Sequence, residues 1–348
     1  MADLSFASDN WSGAAPEIIE VIARANHGMA PAYGNDELTK RTEKKFSDLF
    51  ERDCKVFFVA TGGAANGLAL SVLAKSYASI LCHEESHIQM DECAGPEFLT
   101  QGAKLIPVKS YQGKLNVDAV EKTIAGFPYR PPHGSPFQVL SLTQGTECGT
   151  IYSLDETVAL CDVAKKHQLK VHMDGARFSN AVASLGVTPA QASWKAGVDV
   201  LCFGGTKNGC IAAEAVVFFN PDDAQDFEYR RKRAGHLWSK MRFIAAQFDA
   251  YLSDDLWLRL ASHANEMAQK LSAGLASLES VKIAYPTEIN EVFVSFEEAA
   301  NARLKKAGAN FYPWATPGAA PSDNLHRLIA SWATQQEDVD AFIATVRG

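Results

Sequence analysis

Short apolar runs, each ending on polar or glycine-bearing residues and separated by stretches of helical length, set the rhythm of this chain. Val56–Ala60, Ser79–His83, Leu105–Val108, Gln138–Leu142, Lys170–Met173 and Val198–Phe203 each read as a buried strand. Runs of this length are too short for a helix and too uniformly apolar for a half-exposed strand. Between them, Leu68–Leu73, Val117–Ala125 and Leu154–His167 carry apolar positions at helical spacing, and a further strand is expected at Ala215–Phe219. Strand and helix thus alternate from Val56 to Phe203, which predicts a mostly parallel sheet sandwiched by helices.

The flanks are patterned differently. Ser5–Asn10 should form an arm before a helix at Pro16–His27, and Asp36 is placed to cap a helix running to Phe50. A long helical segment from about Asp254 to Leu278 leads into strands at Val281–Ala284, Val292–Phe296 and Asn324–Ile329, with helices ending near Ala307 and Val346. The expected organisation is an N-terminal arm and large α/β domain over 1–250, then a linking helix and small C-terminal α/β domain over 251–348.

Composition narrows the partners. With 348 residues and 47% apolar content, the chain can bury a large core, while a net charge of −8 disfavours nucleic-acid and membrane surfaces. Seven cysteines, odd in number and without a C-x-x-C pair, fit a reducing compartment. The first residues lack a basic segment followed by an apolar run, so a cytoplasmic location is expected.

The chemistry sits where the strands end. Asp174 closes one strand, and Lys207 follows another on a Gly204-Gly205-Thr206 turn. A lysine that forms a Schiff base and an acid that pairs with a pyridine nitrogen are the two groups pyridoxal phosphate (PLP) most needs. A phosphate site is expected at Thr61-Gly62-Gly63, where a strand passes through small residues into a helix start. Such a turn also serves nucleotides, although the pattern here is not G-x-G-x-x-G. His87, in an expected loop at the same end, can stack on a flat cofactor or move a proton, or be structural. Tyr33 reads as loop packing. Six cations accompany one acid between Glu228 and Arg242; they form either a solvated helix face or a source of a phosphate ligand for a neighbouring subunit. Arg327, in an apolar strand, either makes an ion pair or grips a carboxylate at two points.

Several of these segments resemble the low-specificity L-threonine aldolases, in the β-eliminating lyase branch of the aspartate-aminotransferase-like fold. They are Ala7-Ser8-Asp9-Asn10, Tyr33-Gly34-Asn35-Asp36, Ala60–Asn66, Ser86-His87-Ile88, His172–Arg177 and Thr206-Lys207-Asn208-Gly209. The resemblance implies fold type I and a PLP enzyme that cleaves L-threonine, L-allo-threonine and related β-hydroxy-α-amino acids, phenylserine among them, to glycine and an aldehyde. It makes Lys207 the cofactor lysine beside Thr206, Asp174 the partner of the pyridine nitrogen, and Thr61, Gly62 and Gly63 the phosphate site. His87 would stack on the ring and serve as candidate base. Arg177 would contact the ring oxygen or a nearby acid, and Ser8 and Arg327 would hold the substrate carboxylate, with Tyr33 also facing the substrate. A homotetramer of tight dimers is implied, with Arg233 or Arg242 reaching a phosphate across the subunit boundary. Where many members carry Asn-Thr-His-Asn, this chain has Leu142-Thr143-Gln144-Gly145. Gln144 can hydrogen-bond to substrate but is no acid or base near neutrality, which leaves the base and the threonine/allo-threonine preference open. Other PLP-dependent β-eliminating lyases and aminotransferases are the alternative, with a PLP-free nucleotide-binding module further off.

Overall fold

The computed structural model describes residues 2–128, 130–315 and 324–348. Tyr129 lies outside them. Seven strands form the main sheet: β1 (Lys55–Val59), β2 (Ser79–His83), β3 (Lys104–Val108), β4 (Phe137–Thr143), β5 (Lys170–Gly175), β6 (Val200–Gly204) and β7 (Glu214–Phe218). Their spatial order is β1-β7-β6-β5-β4-β2-β3. Strands β2 to β6 pair in parallel, whereas β7 runs antiparallel to both β6 and β1. The connection from β6 to β7 is shorter than the dozen or so residues a parallel crossover requires, so the chain must turn back. As a result the C-terminal ends of β1, β2, β4, β5 and β6 and the N-terminal end of β7 share one edge.

Helices cover both faces, as the alternating pattern requires. The core on one face gathers around Phe203 of β6, whose ring centroid lies 5.6 Å from Phe46, 5.8 Å from Phe178 and 5.7 Å from Trp257. These rings come from four separate helices and strands, so one strand residue fixes how the helices Glu37–Leu49, Phe178–Leu185 and Leu256–Ala276 sit on the sheet.

The second sheet is wholly antiparallel, with β8 (Val281–Ile283), β9 (Glu291–Phe296), β10 (Tyr312–Pro313) and β11 (Leu325–Ile329) in the order β10-β11-β9-β8. The Leu256–Ala276 helix spans both cores, burying Trp257 in the first and Met267 and Leu271 in the second. The N-terminal arm, grouped by sequence with the large domain, packs in the second core through Phe6. Its backbone is stitched there, Phe6 N–H donating to Asn310 and Phe6 C=O accepting from Ile329, both at 2.8 Å.

Three local expectations change. The helix after β1 begins at Gly62, not Leu68, because Thr61 caps it by accepting a hydrogen bond from the Ala64 N–H. His87 starts a short helix, His87–Met90, instead of lying in a loop. The basic stretch is not one solvated face: a helix ends at Arg233, another begins at Arg242, and Arg231 is buried with its guanidinium 5.1 Å from the Phe57 ring centroid. No described helix is long and apolar enough to cross a membrane.

Phe203→Ala would remove the ring that three helices pack against. It should cost about 3–5 kcal/mol, the range for deleting a buried aromatic side chain, read as a fall in the urea midpoint of the large-sheet transition.

Candidate active site

The shared edge of the main sheet collects polar side chains that would be costly to bury without partners. Asp174, on the last turn of β5, is 4% exposed. Its Oδ2 accepts from Asn66 Nδ2 at 2.8 Å and its Oδ1 from the Ala176 N–H at 3.0 Å. Two donors thus aim the carboxylate along the sheet edge. Gly175 is required beside it, since a Cβ there would fall 2.7 Å from the Cys202 carbonyl oxygen.

Lys207 lies in a single turn of 3-10 helix just past β6, half-buried. The approach of this turn to the β5 end depends on Gly204, where a Cβ would meet the Ala176 carbonyl oxygen at 2.6 Å. Thr206 holds the turn to β7: its Oγ accepts from the Ala213 N–H, and its N–H faces Glu214 Oε1. Glu214 is registered between Val59 of β1 and Gly204 of β6. Burial pushes this carboxyl up to about 7, against the pull of Thr206 and Lys207. A buried acid next to the lysine turn was invisible in the sequence, where Glu214 looked like the polar flank of a strand.

Across the edge, His87 Nδ1 lies 2.9 Å from Glu92 Oε1, and Asn66 Nδ2 donates to that same oxygen at 2.9 Å. Asn66 therefore joins Asp174 to the Glu92–His87 pair. The Glu92 hydrogen bond raises the His87 imidazole above its ordinary value, outweighing the opposing effect of burial. Burial raises the Glu92 carboxyl in turn, despite its bonds to His87 and Asn66. Glu92 was missed because its partner is five residues away across a short helix that sequence did not predict.

Arg177 is almost fully buried and meets an acid, Asp9 of the arm, through Nε to Oδ2 at 2.9 Å and Nη2 to Oδ1 at 3.1 Å. Burial would raise the Asp9 carboxyl, but Arg177 and Lys207 hold it low. A second acid, Glu291 of β9, lies 3.3 Å from Arg177 Nη2 and 3.9 Å from Arg327 Nη1. Glu291 is completely buried without a well-formed hydrogen bond, so burial lifts it to about 7 in spite of both arginines. Arg327 also stacks its guanidinium 4.5 Å from the Trp314 ring centroid, and its Nε is buried without a partner among the described residues. Its pairing is loose enough to leave donors for a ligand.

Other expected residues stand differently. Gln144 is 1% exposed and spends both polar ends on Tyr152, donating Nε2 to the carbonyl and accepting from the N–H, each at 2.9 Å. Buried and bonded to Tyr152 through both polar ends, it pins a loop, a placement that does not favour the expected substrate contact. Ser8 caps the 3-10 turn Asp9–Trp11 by accepting from the Asn10 N–H. Tyr33 is exposed, with Lys232 Nζ 5.0 Å from its ring centroid. Arg242 donates to the Gly28 carbonyl, and Arg233 lines a cavity of about 720 Å³ with Leu68, Phe98 and Tyr229. Neither cation reaches the strand-end cluster of its own chain by any contact among the described residues. No group of metal-ligating side chains occurs among the described residues.

The cluster suits PLP. A Cβ at Gly62 would meet nothing within 4 Å, so the first turn of the Gly62–Leu73 helix is open to an anion, with Thr61 at its cap. Asp174 is oriented by two donors, Lys207 stands on a turn, and His87 is only partly covered. The sequence matches the family described as Beta-eliminating lyase over residues 5–299. The chain belongs to that family. It is 45% identical over 342 residues to the low specificity L-threonine aldolase of a Pseudomonas species, covering 98% of this chain and 96% of that one. The protein of the same name from Pseudomonas aeruginosa is 46% identical over the same shares. The solved threonine aldolase of Leishmania major superposes with a TM-score of 0.92 at 26% identity, covering 99% of this chain and 98% of that one. This family member is a PLP-dependent lyase of fold type I.

Glu92→Gln would remove the negative partner that favours protonated His87. The His87 pKa should therefore fall towards or below the ordinary value of about 6.5, as read by NMR titration of ring-labelled histidine. An unchanged titration would mean that the Glu92 contact does not govern the ring.

Proposed function

We propose that this protein is a low-specificity L-threonine aldolase, cleaving L-threonine, L-allo-threonine and related β-hydroxy-α-amino acids to glycine and an aldehyde. The reading rests most on one combination: 45% identity to a Pseudomonas enzyme of that name over 98% of the chain, with Asp174, Lys207 and His87 gathered at one sheet edge. Bound PLP would supply the electron sink for the pair released when the substrate's Cα–Cβ bond breaks.

The chain's own groups would do the rest. Lys207 would hold the cofactor covalently and give way to the substrate amine. Asp174, held by Asn66 and the Ala176 N–H, would keep a proton on the pyridine nitrogen. Thr61 and the free N–H groups of Gly62 and Gly63 would bind phosphate. His87 would lie against the ring, and Ser8 and Arg327 would fix the substrate carboxylate so that the scissile bond stands across the ring plane. Arg177, committed to Asp9, would set the arm that carries Ser8 and would not itself grip substrate.

A homotetramer of tight dimers in the cytoplasm belongs to the same proposal. Arg233 and Arg242 would then serve a neighbour's phosphate. The exposed Phe98 and Tyr229 beside Arg233 favour a partner surface there.

Two measurements test the reading. Purified protein should absorb visible light, and threonine should yield glycine plus acetaldehyde; a keto acid product would sink the aldolase assignment in favour of elimination or transamination. Lys207→Ala should abolish turnover without unfolding the chain.

Arg327→Lys keeps the charge but loses the planar two-point grip. kcat and KM should both worsen while bound PLP stays unchanged. Near-normal kinetics with a lowered melting point would assign Arg327 to Glu291 and Trp314 alone.

A further inference from the structure

The residue that follows β4 by four positions is a carboxylate at the strand-end edge that no other side chain engages among the described residues. Glu147 is 7% exposed, yet no group among the described residues hydrogen-bonds or ion-pairs with its carboxylate. Its oxygens are not among the fully buried unpaired atoms, unlike those of Glu291, so the carboxylate opens to the space in front of it, where a ligand group can meet it.

The loop that carries it is held from every side. Gln144 clamps the Tyr152 backbone, the Thr146 and Thr150 hydroxyls lie 2.7 Å apart, and the Thr150 hydroxyl donates to the Gln112 carbonyl at 2.7 Å. On one flank Cys148 Sγ donates to Glu85 at 3.3 Å, two residues before His87. On the other, Gly149 packs so close to β9 that a Cβ would fall 3.0 Å from the Glu291 carbonyl oxygen. Glu147 therefore stands between the segment bearing His87 and the strand bearing Glu291. Its charge is felt by His87, Arg177 and Glu291. A substrate with its Cα over the ring beside His87 and its carboxylate at Arg327 would pass through that same space.

We infer that Glu147 is the catalytic residue that takes the proton of the substrate's β-hydroxyl, with Gln144 positioning its loop; this deepens the aldolase reading and rests on it. The carboxylate accepts the hydroxyl proton, and the O–H electron pair becomes the second bond of the aldehyde carbonyl. The Cα–Cβ pair leaves towards the bound cofactor, and a proton later delivered to Cα completes glycine. His87 is less suited to the first task, because Glu92 favours its protonated form and a base must arrive unprotonated. The other acids nearby are already engaged: Glu85 accepts from Cys148, and Glu291 faces two arginines.

The test compares threonine cleavage with exchange of the glycine α-proton into deuterated solvent, a partial reaction that needs the cofactor but no β-hydroxyl base. Glu147→Gln keeps shape and removes basicity, so threonine cleavage should fall by about a hundredfold to ten-thousandfold, while glycine exchange stays within about threefold. Glu147→Asp, which retains a base, should recover part of the rate. Cleavage within a few-fold of wild type would overturn the inference, and so would parallel loss of cleavage and exchange in both variants. Wild-type protein that exchanges glycine but releases none from threonine would instead refute the aldolase reading itself.

Discussion

Three distant segments of the chain meet at one guanidinium. Arg177 follows the central strand of the main sheet, Asp9 belongs to the arm, and Glu291 opens a strand of the small sheet. All three are buried, so none can turn to water if a partner is lost. Breaking such a pair typically costs about 3–5 kcal/mol because the surviving charge is stranded. Asn290 reinforces the junction by donating to Asp9 and to the Ala330 carbonyl. The placement of Lys207 relative to Ser8 and Arg327, which the arm and the small sheet carry, depends on this junction.

A second network runs the other way along the sheet edge. Asn66 spends its two amide protons on Asp174 and Glu92, and Glu92 holds His87. One side chain on the Gly62–Leu73 helix thus orients Asp174 directly and His87 through Glu92. The two networks supply orientation from opposite sides of the site, which is what a constellation drawn from several strand ends requires.

Much of this could be read from the chain. The strand ends at Asp174 and Lys207 were legible because apolar runs stop abruptly on reactive residues, and the parallel sheet followed from the alternation. A helix start after the Thr61 turn was legible, but the helix begins earlier than its apolar stripe because capping by Thr61, not hydrophobicity, sets the first turn. Glu92, Glu214 and Glu291 were not legible. Each is a charged residue that sequence reasoning assigns to the surface; the short His87 helix buries Glu92, strand register buries Glu214, and the interdomain junction buries Glu291. Gln144 misled for the opposite reason: a polar residue at a strand end can be consumed by its own loop, as its bonds to Tyr152 show.

The stitching of the arm to the small sheet has a mechanical corollary. Phe6 exchanges backbone hydrogen bonds with Asn310 and Ile329, so Ser8, two residues beyond it, is carried by the same body as Arg327, two residues before Ile329. The two groups proposed to hold the substrate carboxylate are far apart in the chain yet are carried by one sheet and the arm bonded to it. Any sliding of the small sheet over the large one would displace both groups together and change their distance from Lys207 without changing their separation. The carboxylate-binding geometry would then survive a movement that alters its register against the reacting bond.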